Sequence, residues 1–273
     1  MEKIAAMTLE ELELVLDWAA AEGWNPGLAD AAAFHAADPE GFLLKTVNGQ
    51  PAAAISVVNH SPDFAFLGLY IAAPEFRGQG HGWDVWQAGL ARAGNRTIGL
   101  DGVPAQQANY ARSGFAPSGR TIRYSGRMPS EAPEKLRGLS ERDLPTLLRQ
   151  DARTHGVSRA RFLEPWLRGT ECRRTAVVEE ADHLAFATVR RCRAGLKIGP
   201  LVAKTDDAAR ALLGGLSDGT DVLVDVPETS TQLVDLLEQA GFSPVFETAR
   251  MYLGPPPPSV PPRLHAVATL ELG

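Results

Sequence analysis

The sequence predicts an α/β protein with a mixed sheet, built as two tandem copies of one unit, and three observations carry that prediction. Helix-like and strand-like runs alternate along the whole chain. The order then restarts after Ser130-Glu131-Ala132-Pro133, with Ser140 and Asp143 standing 132 residues after Thr8 and Glu11. Both halves end on a helix followed by Gly-Phe, at Gly114-Phe115 and at Gly241-Phe242. A length of 273 residues is comfortable for two domains, drawn at 1–129 and 134–273.

Each element has its own signal. Thr8 with Glu11 is a capping box, and Leu9, Leu12, Leu16 and Ala19 mark one face of a first helix that stops near Gly23. Asn25-Pro26-Gly27 is a loop, and a short helix follows over Asp30 to Ala37. Runs from Gly41 to Val47 and from Ala52 to Asn59 flank Asn48-Gly49, a favoured two-residue hairpin turn. Phe64 to Ala72 is almost continuously apolar, as a buried central strand should be. A helix over Trp83 to Ala93, a strand over Arg96 to Leu100, a helix ending at Gly114 and extended residues from Phe115 to Arg127 complete the first unit.

In the second unit Ser140 is read as a helix cap. Strands are predicted over Arg174 to Glu179, Leu184 to Arg190, Leu196 to Ala203 and Asp221 to Val226. Helices are predicted over Asp206 to Leu216 and Thr229 to Ala240. Gly254 and the four prolines after it form a stiff tether, and Leu264 to Leu272 is a last strand that could serve either unit.

Composition narrows the function classes. A formal net charge of −6 argues against nucleic acid as a partner. Two cysteines, Cys172 and Cys192, sit in no CxxC pair, and no His/Cys cluster has zinc spacing, so no metal is expected. No apolar run is long enough for a membrane span, and no basic segment followed by an apolar core opens the chain. The expectation is a cytoplasmic monomer or homodimer without membrane contact.

One motif carries chemistry. Tyr70-Ile71-Ala72-Ala73-Pro74-Glu75-Phe76-Arg77-Gly78-Gln79-Gly80-His81-Gly82 joins a buried strand to a helix. A diphosphate needs backbone N–H donors converging at a helix N-terminus, where the helix dipole also favours an anion. Glycines allow close approach and positive φ, and Arg77 adds a cation. A dinucleotide fold would instead place Gly-x-Gly-x-x-Gly straight after its first strand.

This segment resembles motif A of the Gcn5-related N-acetyltransferase (GNAT) family, and the two-unit order resembles the tandem YitH/HolE-type subgroup. The resemblance implies that acetyl-CoA is the acyl donor. Arg77, Gly78, Gln79, Gly80, His81 and Gly82 would hold its diphosphate, and Tyr70, Ile71 and Ala72 the pantetheine and carbonyl. Tyr110-Ala111-Arg112-Ser113-Gly114-Phe115 is similar to the family's Tyr-x-x-x-Gly-Phe segment, which implies that Tyr110 protonates the departing thiolate. The asparagine that family members often place two turns earlier has no counterpart near Val103-Pro104.

The base stays open between Glu22, in the loop that borders the acceptor, and Asp101, at the end of a central strand. Asp101 reads equally as a helix cap. Trp24 and Asn25 are candidate acceptor contacts, with Trp24 equally a core anchor. Trp83 and Trp86 read as packing residues.

The second unit lacks the means to hold a diphosphate. Lys204-Thr205-Asp206-Asp207-Ala208-Ala209 stands where the glycines should be, and two aspartates there repel an anion. Leu237 takes the place of Tyr110. The expected function is acetyl transfer to a primary amine of a small molecule, such as an amino sugar, amino acid or polyamine. A non-catalytic acyl-CoA-binding protein and a protein lysine acetyltransferase stay open beside it.

Overall fold

Thr8 and Glu11 close a reciprocal capping box, each side chain accepting from the other's amide, and helix α1 (Leu9–Ala21) begins there. The computed structural model describes residues 1–273. In the first half, β1 (Glu2–Ala6) precedes α1, and α2 (Asp30–Ala37), β2 (Phe42–Val47), β3 (Gln50–Asn59), β4 (Phe64–Ala72) and α3 (His81–Ala93) follow it. Next come β5 (Thr97–Gly102), α4 (Gln107–Arg112) and β6 (Ala116–Arg127). The second half opens with β7 (Leu136–Gly138), α5 (Leu144–His155), α6 (Ala160–Leu167), β8 (Arg173–Glu180), β9 (His183–Arg191) and β10 (Leu196–Ala203). It closes with α7 (Asp206–Leu216), β11 (Asp221–Pro227), α8 (Thr231–Gln239), β12 (Ser243–Leu253) and β13 (Leu264–Ala266). Asn48 and Gly49 turn the β2–β3 hairpin with φ of 52° and 82°, the left-handed pair such a turn needs.

Three expectations change. Ser140 does not cap a helix: α5 starts at Leu144 with Asp143 as its cap residue, and Ser140 instead donates its amide and hydroxyl to the Asp143 carboxylate. Pro145 is the reason, because it fits the first turn and would interrupt a helix begun at Ser140. Helix α6 has no predicted counterpart; it carries Pro165 inside it, and Phe162, Leu163, Trp166 and Leu167 all bury there. The last strand runs only from Leu264 to Ala266.

The sheet runs β1-β2-β3-β4-β5-β12-β6-β11-β10-β9-β8-β7, with β13 added on β10. Each half therefore lends its last long strand to the other. Strand β12 pairs with β5 of the first half, β6 pairs with β11 of the second, and the two exchanged strands pair antiparallel with each other. Their side chains follow the exchange: Tyr124 packs in the second half's core, while Ala249 and Met251 pack in the first half's.

Two ion pairs, each with a buried carboxylate, latch this exchange. Arg250 of β12 donates from Nε and Nη2 to Asp101 of β5 at 2.9 and 2.7 Å. Arg123 of β6 donates through the same two atoms to Asp225 of β11 at 2.7 and 3.0 Å. Both aspartates sit directly opposite their arginines across the strand ladder. Burial works against the Arg250 charge, and Asp101 and Tyr252 more than offset it.

The two halves differ where their central parallel strands part. Strands β4 and β5 pair only from Phe64 to Leu67 on β4, and the edge of Gly68 to Ala72 that faces β5 then carries no strand. Strands β10 and β11 likewise pair only from Leu196 to Ile198. Beyond that, β13 lies antiparallel on Leu201 to Ala203 and fills the gap. The Val267 amide then donates to the Asp225 carbonyl, and the tail crosses to the first half. There the Leu272 carbonyl meets His60 at 3.0 Å, and Gly68 makes room for the Glu271 carbonyl, which a Cβ would approach to 2.2 Å. The C-terminal segment thus serves both halves.

Candidate active site

A cavity of about 650 Å³ opens where β4 leaves β5. At its mouth, Gly78 and Gly80 hold φ of 75° and 89°, and α3 starts at the next residue, His81. A Cβ on either glycine would meet nothing within 4 Å, so backbone conformation and not crowding is what requires glycine there. The amides from Gly78 to Trp83 find no acceptor within the chain. Unpaired donors at a helix N-terminus suit a diphosphate in number, direction and dipole.

Arg77 donates from Nε to the Ala72 carbonyl at 3.0 Å and forms an ion pair with Glu22. Both residues line the cavity. The side chains of Gln79 and His81 do not. Gln79 donates to the Glu75 carbonyl at 2.8 Å, and His81 is buried edge-on against Phe76. Only the backbone of these two residues is left facing the glycine turn. His81 also lies beside Glu2 and Asp84, a grouping that could hold a cation, but the Lys45 ammonium already bridges both carboxylates.

Deeper in, Leu69 carries φ of 45°, the left-handed region that a branched apolar residue avoids. The β3–β4 register shifts between Ala54 and Ser56, which places a bulge at this point. Bulges next to a site re-aim a strand, and strain of about 1–3 kcal/mol persists only where packing imposes it. Leu69 is fully buried, and Tyr70, Ile71 and Ala72 line the cleft beyond it.

Tyr110 stands on the opposite wall. Its ring stacks on Trp86 at 5.4 Å and packs against Phe115 and the bare Cα of Gly102. Its hydroxyl makes no hydrogen bond to the protein although the ring lines the cavity. Burial, and then the neighbouring Tyr70, raise the phenol well above its ordinary range, so it holds its proton. Trp86 is a packing residue as read, whereas Trp83 is 57 % exposed on the cavity rim.

Asp101 and Asn25 take other places than expected. Asp101 lines the cavity, but its side chain is fully buried and both oxygens are held by Arg250. It caps no helix either, since it lies inside β5. Its counterpart Asp225 makes the same bond to Arg123 in the other half, so the pattern belongs to strand exchange. Asn25 does not reach the cavity: its amide clamps both backbone groups of Ala194 at 2.8 and 3.2 Å. Trp24 does line it, with its carbonyl held by Arg123 at 3.1 Å and Lys197 at 2.8 Å.

The sequence reading missed the residues that the fold brings in from far away. Arg123, Phe246 and Thr248 arrive on the exchanged strands, and Leu270 and Glu271 on the tail. Only Gly68, a glycine inside a strongly apolar strand, hinted at a close backbone approach.

Comparison with known proteins decides the family. An acetyltransferase (GNAT) family model matches residues 8–115, and an acetyltransferase (GNAT) domain model matches residues 147–266. Holothin acyltransferase from Pseudoalteromonas sp. (strain SANK 73390) is 33 % identical over 97 % of this chain and 92 % of its own. The chain belongs to the GNAT acetyltransferase family. As a GNAT protein with this relative it is an acyltransferase, and enzymes of this fold draw on acyl-CoA. The uncharacterized N-acetyltransferase YitH of Bacillus subtilis (strain 168) is 24 % identical over 76 % of both chains. A solved Pyrococcus horikoshii structure shares the fold over 100 % of this chain and 96 % of its own, at 22 % identity and a TM-score of 0.83. A tandem GNAT protein from the clavulanic acid biosynthesis pathway does so over 93 % and 99 %, at 15 % identity and a TM-score of 0.62. No helix of this GNAT chain is long and apolar enough to cross a membrane.

Proposed function

We propose that this enzyme transfers the acetyl group of acetyl-CoA to a primary amine of a small molecule, by direct attack and with Tyr110 as general acid. The observation that carries the reading is the open gap between β4 and β5, which runs from free amides at Gly78–Trp83 to the unpartnered hydroxyl of Tyr110. The diphosphate sits on the cradle with Arg77 beside it. The pantetheine lies along the bare edge of Tyr70, Ile71 and Ala72, as an added strand would. The thioester then faces Tyr110, whose raised pKa keeps the proton on the phenol until the thiolate develops. The first domain, 1–129, supplies the donor site, and the second, 134–273, walls the acceptor end and binds no acyl-CoA.

A small acceptor suits a cavity that Trp24 and the tail residues Leu270 and Glu271 also line. The likeness to holothin acyltransferase supports the same class. The test is thiol release from acetyl-CoA across glucosamine, lysine, spermidine, aniline, holothin and a lysine-containing peptide. Turnover of one small amine, lost in Tyr110→Phe while CoA binding is kept, is the expected result. CoA binding with no release for any acceptor overturns the enzymatic reading, and release with the peptide alone makes the acceptor a protein.

A further inference from the structure

We propose that Glu271, carried into the site by the C-terminal tail, is the general base that takes a proton from the acceptor amine; this rests on the acetyl-transfer reading above. Three carboxylates line the cavity: Glu22, Asp101 and Glu271. Glu22 is paired with Arg77 at the diphosphate end, and Asp101 is closed off by Arg250. Glu271 forms no ion pair; the Thr269 hydroxyl donates to its Oε2, and Oε1 accepts nothing while not being sealed from the cavity.

Its position follows from the cleft. A donor threaded inward from the cradle passes Ala72, Ile71 and Tyr70 and must stop where β4 rejoins β5 at Leu67 and Leu100. Gly68 is the last residue before that closure, and the Glu271 backbone packs directly on it. Glu271 and Tyr110 line the same cavity, and the Glu271 backbone sits at the level of Gly68, where the thioester comes to rest.

Burial raises the Glu271 pKa from its ordinary value. Lys197 on β10, Arg190 on β9 and Arg123 on β6 oppose that shift, and Asp30 on α2 adds to it. A carboxylate poised nearer to neutrality is a better proton acceptor at working pH. Lys197 is itself brought down to about 8, by burial and then by Arg123.

The steps balance as follows. Glu271 takes one proton from the ammonium form of the acceptor. The neutral nitrogen attacks the thioester carbon, forming the C–N bond as the carbonyl electron pair moves onto oxygen. Collapse breaks the C–S bond, and the CoA thiolate takes the Tyr110 proton. The nitrogen's surplus proton returns to the Tyr110 phenolate, and Glu271 releases its proton to water.

The experiment compares wild type, Glu271→Gln and Glu271→Asp with two acceptors: the best alkyl amine of the panel, and aniline, which is already neutral at assay pH. Glu271→Gln should lower kcat/KM about 100-fold with the alkyl amine and less than about 10-fold with aniline. It should also lose the carboxylate's acidic limb from the pH profile while keeping wild-type CoA affinity. Glu271→Asp, which retains a carboxylate, should fall between the two and keep that limb, and it carries the test if the glutamine variant does not fold. Wild-type turnover matched by Glu271→Gln with both acceptors overturns the assignment of the base alone. Absence of wild-type turnover with every amine overturns the acetyl-transfer reading and the base together.

Discussion

The two halves place the same elements around the same two openings and treat them in opposite ways. In the first half, the amides from Gly78 to Trp83 are left without acceptors. In the second, the Lys204 and Thr205 amides donate to the Glu180 carboxylate at 3.1 and 2.9 Å, and the Thr205 hydroxyl accepts from the Ala208 amide. A fixed internal anion stands where the first half leaves room for one. The gap between β4 and β5 stays open, and the gap between β10 and β11 is filled by β13. Tyr110 faces the cavity, while Leu237, whose carbonyl accepts from Phe242 as that of Tyr110 does from Phe115, is sealed in the core. A copy that satisfies its own polar groups and closes its own cleft becomes scaffold, and the copy that leaves them unsatisfied can hold a ligand.

The largest effect should come from the feature the halves share. Asp225→Ala strands the buried Arg123 and should cost about 3–5 kcal/mol, and Asp101→Ala strands the partly exposed Arg250 and should cost about 3 kcal/mol, both read as a fall in Tm. Comparable losses would mark both aspartates as latches. A loss of kcat/KM confined to a folded Asp101→Asn variant would break the symmetry and return Asp101 to catalysis.

Next in size is Tyr110→Phe, which keeps the stack on Trp86 and should lower kcat/KM by about 100-fold with little change in CoA affinity. Activity near wild type would remove the chemical distinction between Tyr110 and Leu237. Gly80→Ala tests the cradle. The left-handed backbone costs an alanine about 1–2 kcal/mol, so the Kd for CoA measured by calorimetry should rise about 10-fold.

The smallest effect is expected from Glu180→Ala in the second half. It frees the amides of Lys204 and Thr205 and should cost about 1 kcal/mol of stability, as a lost cap does. Calorimetry should still find one CoA per chain, because β13 continues to fill the second gap. A second bound CoA would show that the internal carboxylate alone kept that half empty.

Most of the fold was legible. Local signals such as the Thr8 cap, the Asn48-Gly49 turn and the apolar run Phe64–Ala72 lie within a few residues of what they specify, and strand β10 and helix α7 fall at their predicted bounds. Short edge strands β1 and β7 escaped because a few half-exposed residues carry no clear alternation. The glycine-rich turn was legible too: Gly78 and Gly80 take positive φ and α3 starts at His81, as a local motif of that kind dictates. The distant partners of the other candidate residues were not. Asp101 looked like a free carboxylate because its partner Arg250 lies 149 residues away, and Asn25 looked like a ligand contact because Ala194 lies 169 residues away.

The sequence by itself determined two α/β units and one glycine-rich turn at a helix N-terminus, because helix caps, turns and glycine φ preferences act over one or two turns of chain. Only the tertiary structure decided that the last strands change places, that the tail closes one gap and floors the other, and that Glu271 lies beside Gly68. Those outcomes depend on pairing and burial between residues far apart in the chain, and no local pattern encodes which distant edge a strand will meet.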